Sequence, residues 1–395
     1  MTDRKKISIF GSTGSIGVNT VDVLLQSGGE KKFNVRVLSG GNNVKLLAEQ
    51  ATKLQVELVV TAFPNKLEEL NSYLSGTGIR VLAGEEALVE AASIFCDWTM
   101  SSIIGAAGIK VGLKSLEHGG ILALANKETM VCAGDLANKL AKKYQSKIIP
   151  VDSEHSAIFQ CLRGENIKEV ESITLTASGG PFRNLAIDEL KNVSPDEAAN
   201  HPNWKMGKKI SIDSASMFNK GLEVVEAHHL FSLSGDMIDV LIHPESIIHA
   251  LVNFRDGSSL AQLSAPDMRS AIAFALNYPN RSYLDVKRMN LLDLSALTFE
   301  RVDFHRWPSL RMAYRVIDLG GSAGVVYNAS KEEALESYIN KEIGFLDMYQ
   351  CVEKVIKYLT REQYFKNEIL SFDEIFEHDK LARNLSQQYL KNKSI

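Results

Sequence analysis

The sequence predicts an α/β protein with an N-terminal doubly wound sheet, a central α+β domain and a C-terminal helical bundle. Over the first 150 residues, short β-branched runs alternate with helical patterns, which is typical of a mostly parallel sheet with right-handed crossovers. From about residue 170 the strands lengthen, and after about residue 300 apolar residues recur every three or four positions, as in helices. The predicted domains are therefore 1–150, 151–290 and 291–395.

The individual segments support this division. The predicted strands of the first part are KISIFG, FNVRVLSG, VELVVT, IRVLAG, WTMSSII, GGILALA and SKIIP. In the second part, ESITLTAS is a strand and SIIHALVNFRDGSSLAQLS is a hairpin that turns at Asp256 and Gly257. In the third part, PSLRMAYRVIDLGG, SKEEALESYINKEI and FLDMYQCVEKVIKYL are helical, and Ser330 with Glu333 has the spacing of a capping box.

The composition excludes several classes of protein. Of the residues, 45% are apolar and 23% charged, as in an ordinary globular protein. A net charge of −4 gives no basic surplus for nucleic acid, and no polybasic segment indicates a membrane surface. The four cysteines have no metal or disulfide spacing, and the start resembles no signal peptide, so we expect a cytoplasmic protein.

A glycine-rich loop follows the first predicted strand. Gly11, Gly14 and Gly17 separate this strand from an apolar-periodic helix, in the spacing G-x-x-G-x-x-G. Glycines there let the backbone approach a pyrophosphate, and the helix N-terminus offers free N–H groups. The loop predicts a dinucleotide site in a Rossmann-like domain, although a structural tight turn would use the same residues.

The end of the second strand bears on which dinucleotide binds. It reads Ser39-Gly40-Gly41-Asn42-Asn43, without the carboxylate that usually holds the ribose of NAD. A neutral loop repels no 2′-phosphate, so NADPH is favoured.

Asn126, Lys127 and Glu128 follow another apolar strand, at the sheet edge where such folds bind ligands. Asn126 and Glu128 are equally explained by helix capping, which leaves Lys127 without a structural role.

Two carboxylates lie in the stretch PVDSEHS, directly after the strand SKIIP. In an extended segment Asp152 and Glu154 would point to one face, with Ser153 on the other. Like charges so close need a counter-charge, unless one carboxylate holds a proton, and a hard divalent cation prefers oxygen ligands. The segment predicts a metal site, with a solvated acidic loop as the alternative.

The segment HPNWKMGKKISIDSASMFNKGLE has an unusual composition. Its beginning, 201–209, contains a Trp, a Met and three lysines beside Pro and Gly, which indicates a lid over a ligand. Trp204 serves equally well as a local anchor on the protein itself.

The rest of this segment has helical spacing that places Asn219, Lys220 and Glu223 on one face, near Ser214. Hydroxyl, amide and ammonium groups suit a phosphate, and an ordinary surface salt-bridge pattern is the alternative. Ser178, followed by Gly179 and Gly180, adds a backbone nest at a strand end.

In this order, GSTGSIG, ALANKE, VDSEHSAIFQCL, TASGGPF, HPNWKMGKKISIDSASMFNKGLEVVEAHHLF and HPESIIHALV closely resemble the 1-deoxy-D-xylulose 5-phosphate reductoisomerase family, over essentially the whole chain. The resemblance implies a homodimeric, cytoplasmic, NADPH-dependent oxidoreductase and isomerase of non-mevalonate isoprenoid biosynthesis. Its substrate would be a phosphorylated sugar, and its metal would be Mg²⁺, Mn²⁺ or Co²⁺.

The resemblance also implies roles for individual residues. The metal ligands would be Asp152, Glu154 and Glu223. The substrate phosphate would meet Ser178, Ser214, Asn219 and Lys220, and the sugar end would meet Lys127, Ser153 and His201. The residues that would contact NADPH are Thr13, Gly14, Ser15, Ile16, Gly41, Asn42, Asn43, Asn126, Glu128 and Gly207.

Two further implications concern the lid and the 2′-phosphate. Trp204 and Met206 would lie on the closing lid. Asn42 departs from the family pattern, where a basic residue is common, and this weakens the argument for a 2′-phosphate contact there.

The implied reaction opens with a retro-aldol cleavage of the C3–C4 bond, which the metal assists as a Lewis acid. Re-addition gives a branched aldehyde, which NADPH reduces to 2-C-methyl-D-erythritol 4-phosphate. Two other functions remain open from the residues. A semialdehyde dehydrogenase would need a nucleophilic cysteine, and Cys161 lies in an apolar helical stretch. A dinucleotide-binding sensor would need none of the acids.

Overall fold

The computed structural model describes residues 4–202, 204, 207–294, 296–365, 368–369 and 371–391. They form two compact units that interleave along the chain. The first comprises 1–129, 137–159 and 267–288, and the second comprises 130–136, 160–266 and 289–395, apart from the residues not described.

The first unit contains a seven-stranded parallel sheet. Its strands pair in the order β4-β3-β2-β1-β5-β6-β7. They are β1 (Lys5–Phe10), β2 (Phe33–Gly40), β3 (Leu58–Thr61), β4 (Arg80–Ala83), β5 (Trp98–Ser101), β6 (Gly120–Leu124) and β7 (Ser146–Pro150). Every strand predicted in the first part of the sequence is present, and the doubly wound sheet is confirmed.

Helices connect these strands. They are α1 (Ser15–Gln26), α2 (Val44–Leu54), α3 (Leu67–Tyr73), α4 (Glu85–Ala92), α5 (Ala107–Ser115), α6 (Lys127–Tyr144) and α7 (Ser153–Cys161), whose last residues pass into the second unit. Both faces of the sheet are apolar. Ile7 and Ile9 pack into one cluster of buried side chains, and Phe10 and Val37 into another.

The second unit contains a five-stranded mixed sheet in the order β11-β10-β8-β9-β12. Its strands are β8 (Val170–Ala177), β9 (Ile238–Ile242), β10 (Ile248–Phe254), β11 (Ser259–Leu263) and β12 (Glu300–Arg301). Within the described part of this sheet, β8 and β9 pair in parallel and the other neighbouring strands pair antiparallel. The hairpin between β10 and β11 turns through Gly257, whose φ is +84°, as predicted.

The helices of the second unit, together with α11 of the first, complete the chain. They are α8 (Pro195–Ala198), α9 (Lys208–Ala215), α10 (Phe218–Phe231), α11 (Met268–Asn277), α12 (Pro308–Leu319), α13 (Ala323–Ile339), α14 (Phe345–Arg361) and α15 (Phe372–Lys391). The C-terminal helical part is confirmed, but the capping box at Ser330 is wrong. Ser330 is fully buried in the middle of α13, because the apolar pattern already begins at Ala323.

The segment 267–288 belongs to the first unit although it lies beyond residue 151. Its helix α11 packs on α1 and contributes Ile272 and Phe274 to the core of the parallel sheet. The indole N–H of Trp98 donates a hydrogen bond to the carbonyl oxygen of Ala275 at 3.0 Å. These contacts join residues far apart in sequence, so the compact units do not follow sequential boundaries at 150 and 290.

Candidate active site

The glycine loop lies at the carboxyl end of β1 and leads directly into α1. Gly11 has a φ of +93°, and Gly14 is the residue before the first turn of the helix. A Cβ on Gly17 would lie 2.2 Å from the carbonyl oxygen of Gly11, so only glycine fits there. The loop therefore presents the backbone of 13–16 at a helix N-terminus, as a pyrophosphate site requires.

A second loop adjoins the first at the same edge of the sheet, because β2 is the neighbour of β1. A Cβ on Gly40 would lie 3.0 Å from the side chain of Thr13, so the two loops lie against each other. In this second loop, Asn43 caps α2 by accepting a hydrogen bond from the backbone N–H of Leu46 at 3.2 Å. The structure thus brings together the residues predicted for NADPH from 13–16 and 41–43.

Asn126 is the capping residue at the start of α6. Its side-chain oxygen caps α6 by accepting from the N–H of Thr129 at 3.0 Å. Its amide N–H groups donate to the carbonyl oxygens of Ile103 and Gly105 and to the carboxylate of Glu128. The capping alternative is therefore confirmed, and a contact of Asn126 or Glu128 with NADPH stays a prediction.

Lys127 points instead to the acidic segment. Its ammonium group lies 3.1 Å from a carboxylate oxygen of Asp152, and its side chain is largely buried. The ring nitrogen Nδ1 of His155 lies 3.5 Å from the same oxygen, and His155 is fully buried. Asp152 is therefore held between an ammonium group and an imidazole.

The expected extended geometry of the acidic pair is wrong. The strand β7 ends at Pro150, and α7 already begins at Ser153, because Asp152 acts as a helix start: its carbonyl oxygen accepts from the N–H of Ser156 at 2.8 Å. Ser153 does not point away. Its hydroxyl donates to the carboxylate of Glu154 at 2.6 Å.

Asp152 and Glu154 nevertheless fit a hard divalent cation. Both side chains are only partly buried, and both offer carboxylate oxygens, the ligand type that Mg²⁺ and Mn²⁺ prefer. The ammonium group of Lys127 balances part of the negative charge of Asp152.

In the second unit, Ser178 follows β8 and lies on a backbone nest. Gly179 and Gly180 both have positive φ, of +78° and +64°. The N–H of Gly180 donates to the hydroxyl oxygen of Ser178 at 3.2 Å, and the ring nitrogen Nε2 of His201 lies 2.9 Å from the same oxygen.

The tautomer of His201 follows from its partners. Its Nδ1 accepts a hydrogen bond from the backbone N–H of Trp204 at 3.0 Å, so the proton of the neutral ring is on Nε2. Nε2 therefore donates to Ser178, whose own hydroxyl hydrogen remains available for a ligand oxygen. Burial lowers the pKa of His201 below its usual 6.5, which favours this neutral form.

Trp204 is partly buried against the protein. Its ring lies 6.3 Å from the ring of His249, between centroids, in a tilted arrangement. This contact supports the anchor alternative, and a lid role stays a prediction. Within the predicted lid, Asn203, Lys205 and Met206 lie outside the described residues.

Asn219, Lys220 and Glu223 share one face of α10, as the spacing predicted. The ammonium group of Lys220 and the amide of Asn219 both donate to the carboxylate of Glu223. Lys220 and Glu223 are almost completely buried, so the surface salt-bridge alternative is wrong. Ser214 lies in the helix before, α9, and Gly207 immediately precedes that helix.

Sequence reasoning missed three positioning residues. His155 lies three positions after Asp152, a spacing that places two residues on the same face of a helix, so a local signal for this contact was present. Lys331 forms a buried ion pair with Asp213, next to Ser214, at 3.0 Å, and Arg306 donates to carbonyl oxygens of the loop after Gly180. No local signal reveals these last two, because their partners are distant in sequence.

Comparisons with known proteins agree with one another over the whole chain. Three family models match: 1-deoxy-D-xylulose 5-phosphate reductoisomerase at residues 7–134, its C-terminal domain at 148–231, and DXP reductoisomerase C-terminal domain at 263–385. The enzyme of that name from Paracoccus denitrificans is 49% identical over 98% of this chain and 99% of its own, and that of Agrobacterium fabrum is 48% identical over 98% and 97%. The chain belongs to the 1-deoxy-D-xylulose 5-phosphate reductoisomerase family.

Solved structures of the family have the same fold. The reductoisomerase from Zymomonas mobilis in complex with NADPH is 39% identical, with a TM-score of 0.92 over 98% of this chain and 99% of that one. A DOX-P reductoisomerase in complex with NADPH, fosmidomycin and magnesium is 37% identical, with a TM-score of 0.93 over 98% of both chains. The predicted family and fold class are thereby confirmed.

The two other functions are not favoured. A semialdehyde dehydrogenase would need a reactive thiolate, but burial raises the pKa of Cys161 to about 11, so its thiol stays protonated near neutral pH. A sensor without chemistry is disfavoured by family membership, since the similarity to an enzyme of the family extends over 98% of this chain. Among the described residues, no helix combines the length and the apolar character needed to cross a membrane.

Proposed function

We propose that this protein converts 1-deoxy-D-xylulose 5-phosphate to 2-C-methyl-D-erythritol 4-phosphate, using NADPH and a divalent metal ion, in non-mevalonate isoprenoid biosynthesis. The observation that carries the proposal is that Asp152 and Glu223 each lie beside an ammonium group, in a member of this family. Relatives solved with NADPH and magnesium support the choice of cofactors.

The loops at the carboxyl ends of β1 and β2 hold NADPH in this proposal. The backbone of Thr13, Gly14, Ser15 and Ile16 meets the pyrophosphate at the start of α1. Gly41, Asn42 and Asn43 lie beside the ribose, where a neutral loop tolerates a 2′-phosphate. Asn126, Glu128 and Gly207 complete the cofactor contacts.

The metal ligands are Asp152, Glu154 and Glu223. A divalent ion bound by them would supply Lewis acidity toward the carbonyl and hydroxyl oxygens of the substrate. Lys127 and His155 hold Asp152 in a fixed orientation, and the Ser153 hydroxyl does the same for Glu154. Such supporting contacts matter because they fix ligand geometry before the ion arrives.

The substrate phosphate binds to Ser178, Ser214, Asn219 and Lys220. Ser178 donates its hydroxyl hydrogen, because His201 and Gly180 already donate to its oxygen. Asn219 and Lys220 also donate hydrogen bonds to the carboxylate of Glu223. One face of α10 therefore directs N–H donors both to the metal ligand and to the phosphate. The phosphate does not react, so its binding energy can orient the reacting carbons.

The central experiment is the oxidation of NADPH in the presence of 1-deoxy-D-xylulose 5-phosphate, followed by absorbance. We expect loss of absorbance with Mn²⁺ or Mg²⁺ and none after a chelator is added. Turnover that survives complete chelation would contradict the metal assignment, and no turnover under either condition would contradict the function.

The same proposal covers the location of the protein, its oligomeric state and its division into domains. The protein is a cytoplasmic homodimer, and its functions divide along the sequence into NADPH binding at 1–150, catalysis at 151–290 and a helical part at 291–395, although the segment 267–288 packs in the first compact unit. Cys96, Cys132 and Cys351 are buried and Cys161 is partly buried, and a reducing compartment would keep these thiols unbonded. Light scattering during size-exclusion chromatography tests the dimer, and a mass equal to one chain would contradict it.

A further inference from the structure

A basic cavity lies in the first unit, at the amino ends of β1 and β2. Its volume is about 520 Å³, within the range of small-molecule sites. The start of β1 contributes Arg4 and Lys5, the turn after α1 contributes Lys31 and Lys32, and the loop after α11 contributes Tyr283. The glycine loop is at the carboxyl ends of the same strands, so the cavity lies at the opposite edge of the sheet.

The cavity concentrates positive charge in a chain whose net charge is −4. The described residues that line it include Arg4, Lys5, Lys31 and Lys32 but no carboxylate. Acidic residues adjoin the lining without belonging to it. Gln26 donates to the carboxylate of Asp22 at 2.9 Å and accepts from the backbone N–H of Asp285 at 3.1 Å. Burial lowers the pKa of Lys5, and the charge of Asp97 acts in the opposite direction.

Structural roles account for only part of this charge. Lys5 donates to the carbonyl oxygen of Leu276, at the end of α11, at 2.6 Å, and Arg4 donates to the carbonyl oxygen of Glu30 at 2.9 Å. The C-terminal ends of α1 and α11 offset roughly one unit of charge between them. Within the described part of the chain, neither Lys31 nor Lys32 makes an ion pair, so a positive surplus remains.

An aromatic ring borders the same cavity. The side chain of Tyr283 is 81% exposed, which is unusual for a large aromatic residue. The guanidinium group of Arg288 lies 5.4 Å from the centroid of its ring and adds a further cation. An exposed ring beside cations is suited to stacking on a planar group that carries negative charge.

We propose that this cavity binds a small molecule bearing a chain of two or more phosphate groups. Ammonium and guanidinium groups form charge-assisted hydrogen bonds with phosphate oxygens, and several cations around one cavity match an anion of more than one charge. Lys31 and Lys32 bind the phosphate chain, and Tyr283 accepts any planar group attached to it. The site is separate from the proposed catalytic function and involves no covalent step.

Calorimetric titration with pyrophosphate tests the proposal directly. The variant Lys31→Gln/Lys32→Gln should bind pyrophosphate about tenfold more weakly than the unaltered protein, as expected for the loss of charge-assisted contacts. The variant Lys142→Gln/Lys143→Gln removes the same charge from exposed lysines at the end of α6 and should bind normally. Equal weakening in both variants would overturn the proposal, because only net charge would then matter.

A second comparison separates this site from the substrate-phosphate site. Lys220→Met should leave pyrophosphate binding at the cavity in place, and Lys31→Gln/Lys32→Gln should leave the KM for the sugar phosphate unchanged. If Lys220→Met alone abolishes pyrophosphate binding, the anion binds only at the catalytic site and the proposal is overturned.

The Tyr283→Leu variant identifies the source of the phosphate chain. Weaker binding of ATP with unchanged binding of pyrophosphate would support a nucleotide as the ligand, and unchanged binding of both would support a phosphate chain without a stacked group. Binding of RNA or of anionic vesicles through Lys31 and Lys32, with no pyrophosphate binding, would replace the small molecule and overturn the proposal.

Discussion

The acids of the candidate site are each held by groups on their own unit of the chain. Asp152 lies between Lys127 and His155, and Glu223 accepts hydrogen bonds from Asn219 and Lys220. Buried carboxylates need such partners, since an unpaired buried charge is costly. The same contacts orient the oxygens that the proposed metal ion needs.

Glu154→Gln is expected to reduce turnover by about two orders of magnitude or more, because the amide removes the negative charge that binds the metal. Its NADPH affinity should change little, since Glu154 is not among the cofactor contacts. Turnover and NADPH binding are measured on the same preparation. Glu165→Gln, on an exposed acid just after α7, is the control and should keep full activity. Normal turnover in Glu154→Gln would contradict the metal assignment.

His201 should titrate below 6.5, because burial disfavours its charged form. A lowered pKa means that the folded state binds the proton less readily than the unfolded state. This residue should therefore reduce the free energy of unfolding as the pH falls below 6.5 and have no such effect above it. NMR titration of the histidines, with His201→Gln to identify the resonance, measures the midpoint. A midpoint at or above 6.5 would contradict the account.

The sequence alone predicted that Asp152 and Glu154 lie close together but not the backbone conformation that brings them together. Asp152 and Glu154 were expected in an extended segment, whereas α7 begins at Ser153. The signal was present, because Asp is a favoured residue before a helix and Glu favours its first turn. The partners Lys331 of Asp213 and Arg306 of the 182–185 loop were beyond prediction, since only the folded chain brings them together.

At the scale of elements, the glycine loop depends on the close approach of the first turn of α1 to the backbone at the end of β1. In α1, a side chain at Gly17 would meet the backbone of Gly11 and Ser12, whereas one at Gly14 would come no closer than 3.5 Å to any atom. Strand, loop and helix were all predictable, since the glycine spacing and the flanking patterns are local.

Gly17→Ala should therefore lower the free energy of unfolding by about 1–3 kcal/mol, the usual cost of forcing atoms into a packed region. It should also weaken NADPH binding, because the loop backbone must shift. Gly14→Ala is the matched control for stability, since its new methyl group has room. Thermal unfolding of both variants measures the difference in their stability. Equal stability of the two would contradict the close approach seen in the loop.

If Trp204 lies on a lid, as the sequence predicts, Trp204→Ala should raise the KM for the sugar phosphate about tenfold, equivalent to ~1.4 kcal/mol. The reason is the loss of a large apolar surface over the substrate. Trp204→Phe keeps an aromatic ring and should recover most of the affinity. Unchanged steady-state constants in Trp204→Ala would show that the residue only anchors the segment on His249.

At the scale of the whole molecule, each compact unit is built from segments that are not consecutive in the sequence. The doubly wound sheet and the helical C-terminal part were predictable because their periodicities are local. The return of 267–288 to the first unit was not, because it depends on α11 packing on α1 and on the hydrogen bond of Trp98 to Ala275.

The central claim is that one protein both rearranges and reduces its substrate. Proton NMR of the product made from 1-deoxy-D-xylulose 5-phosphate and NADPH, with Mg²⁺, tests it most directly. The rearranged product carries its methyl group on a carbon without hydrogen, so we expect a methyl singlet. A methyl doublet would show that the ketone was reduced without rearrangement, and it would contradict the account.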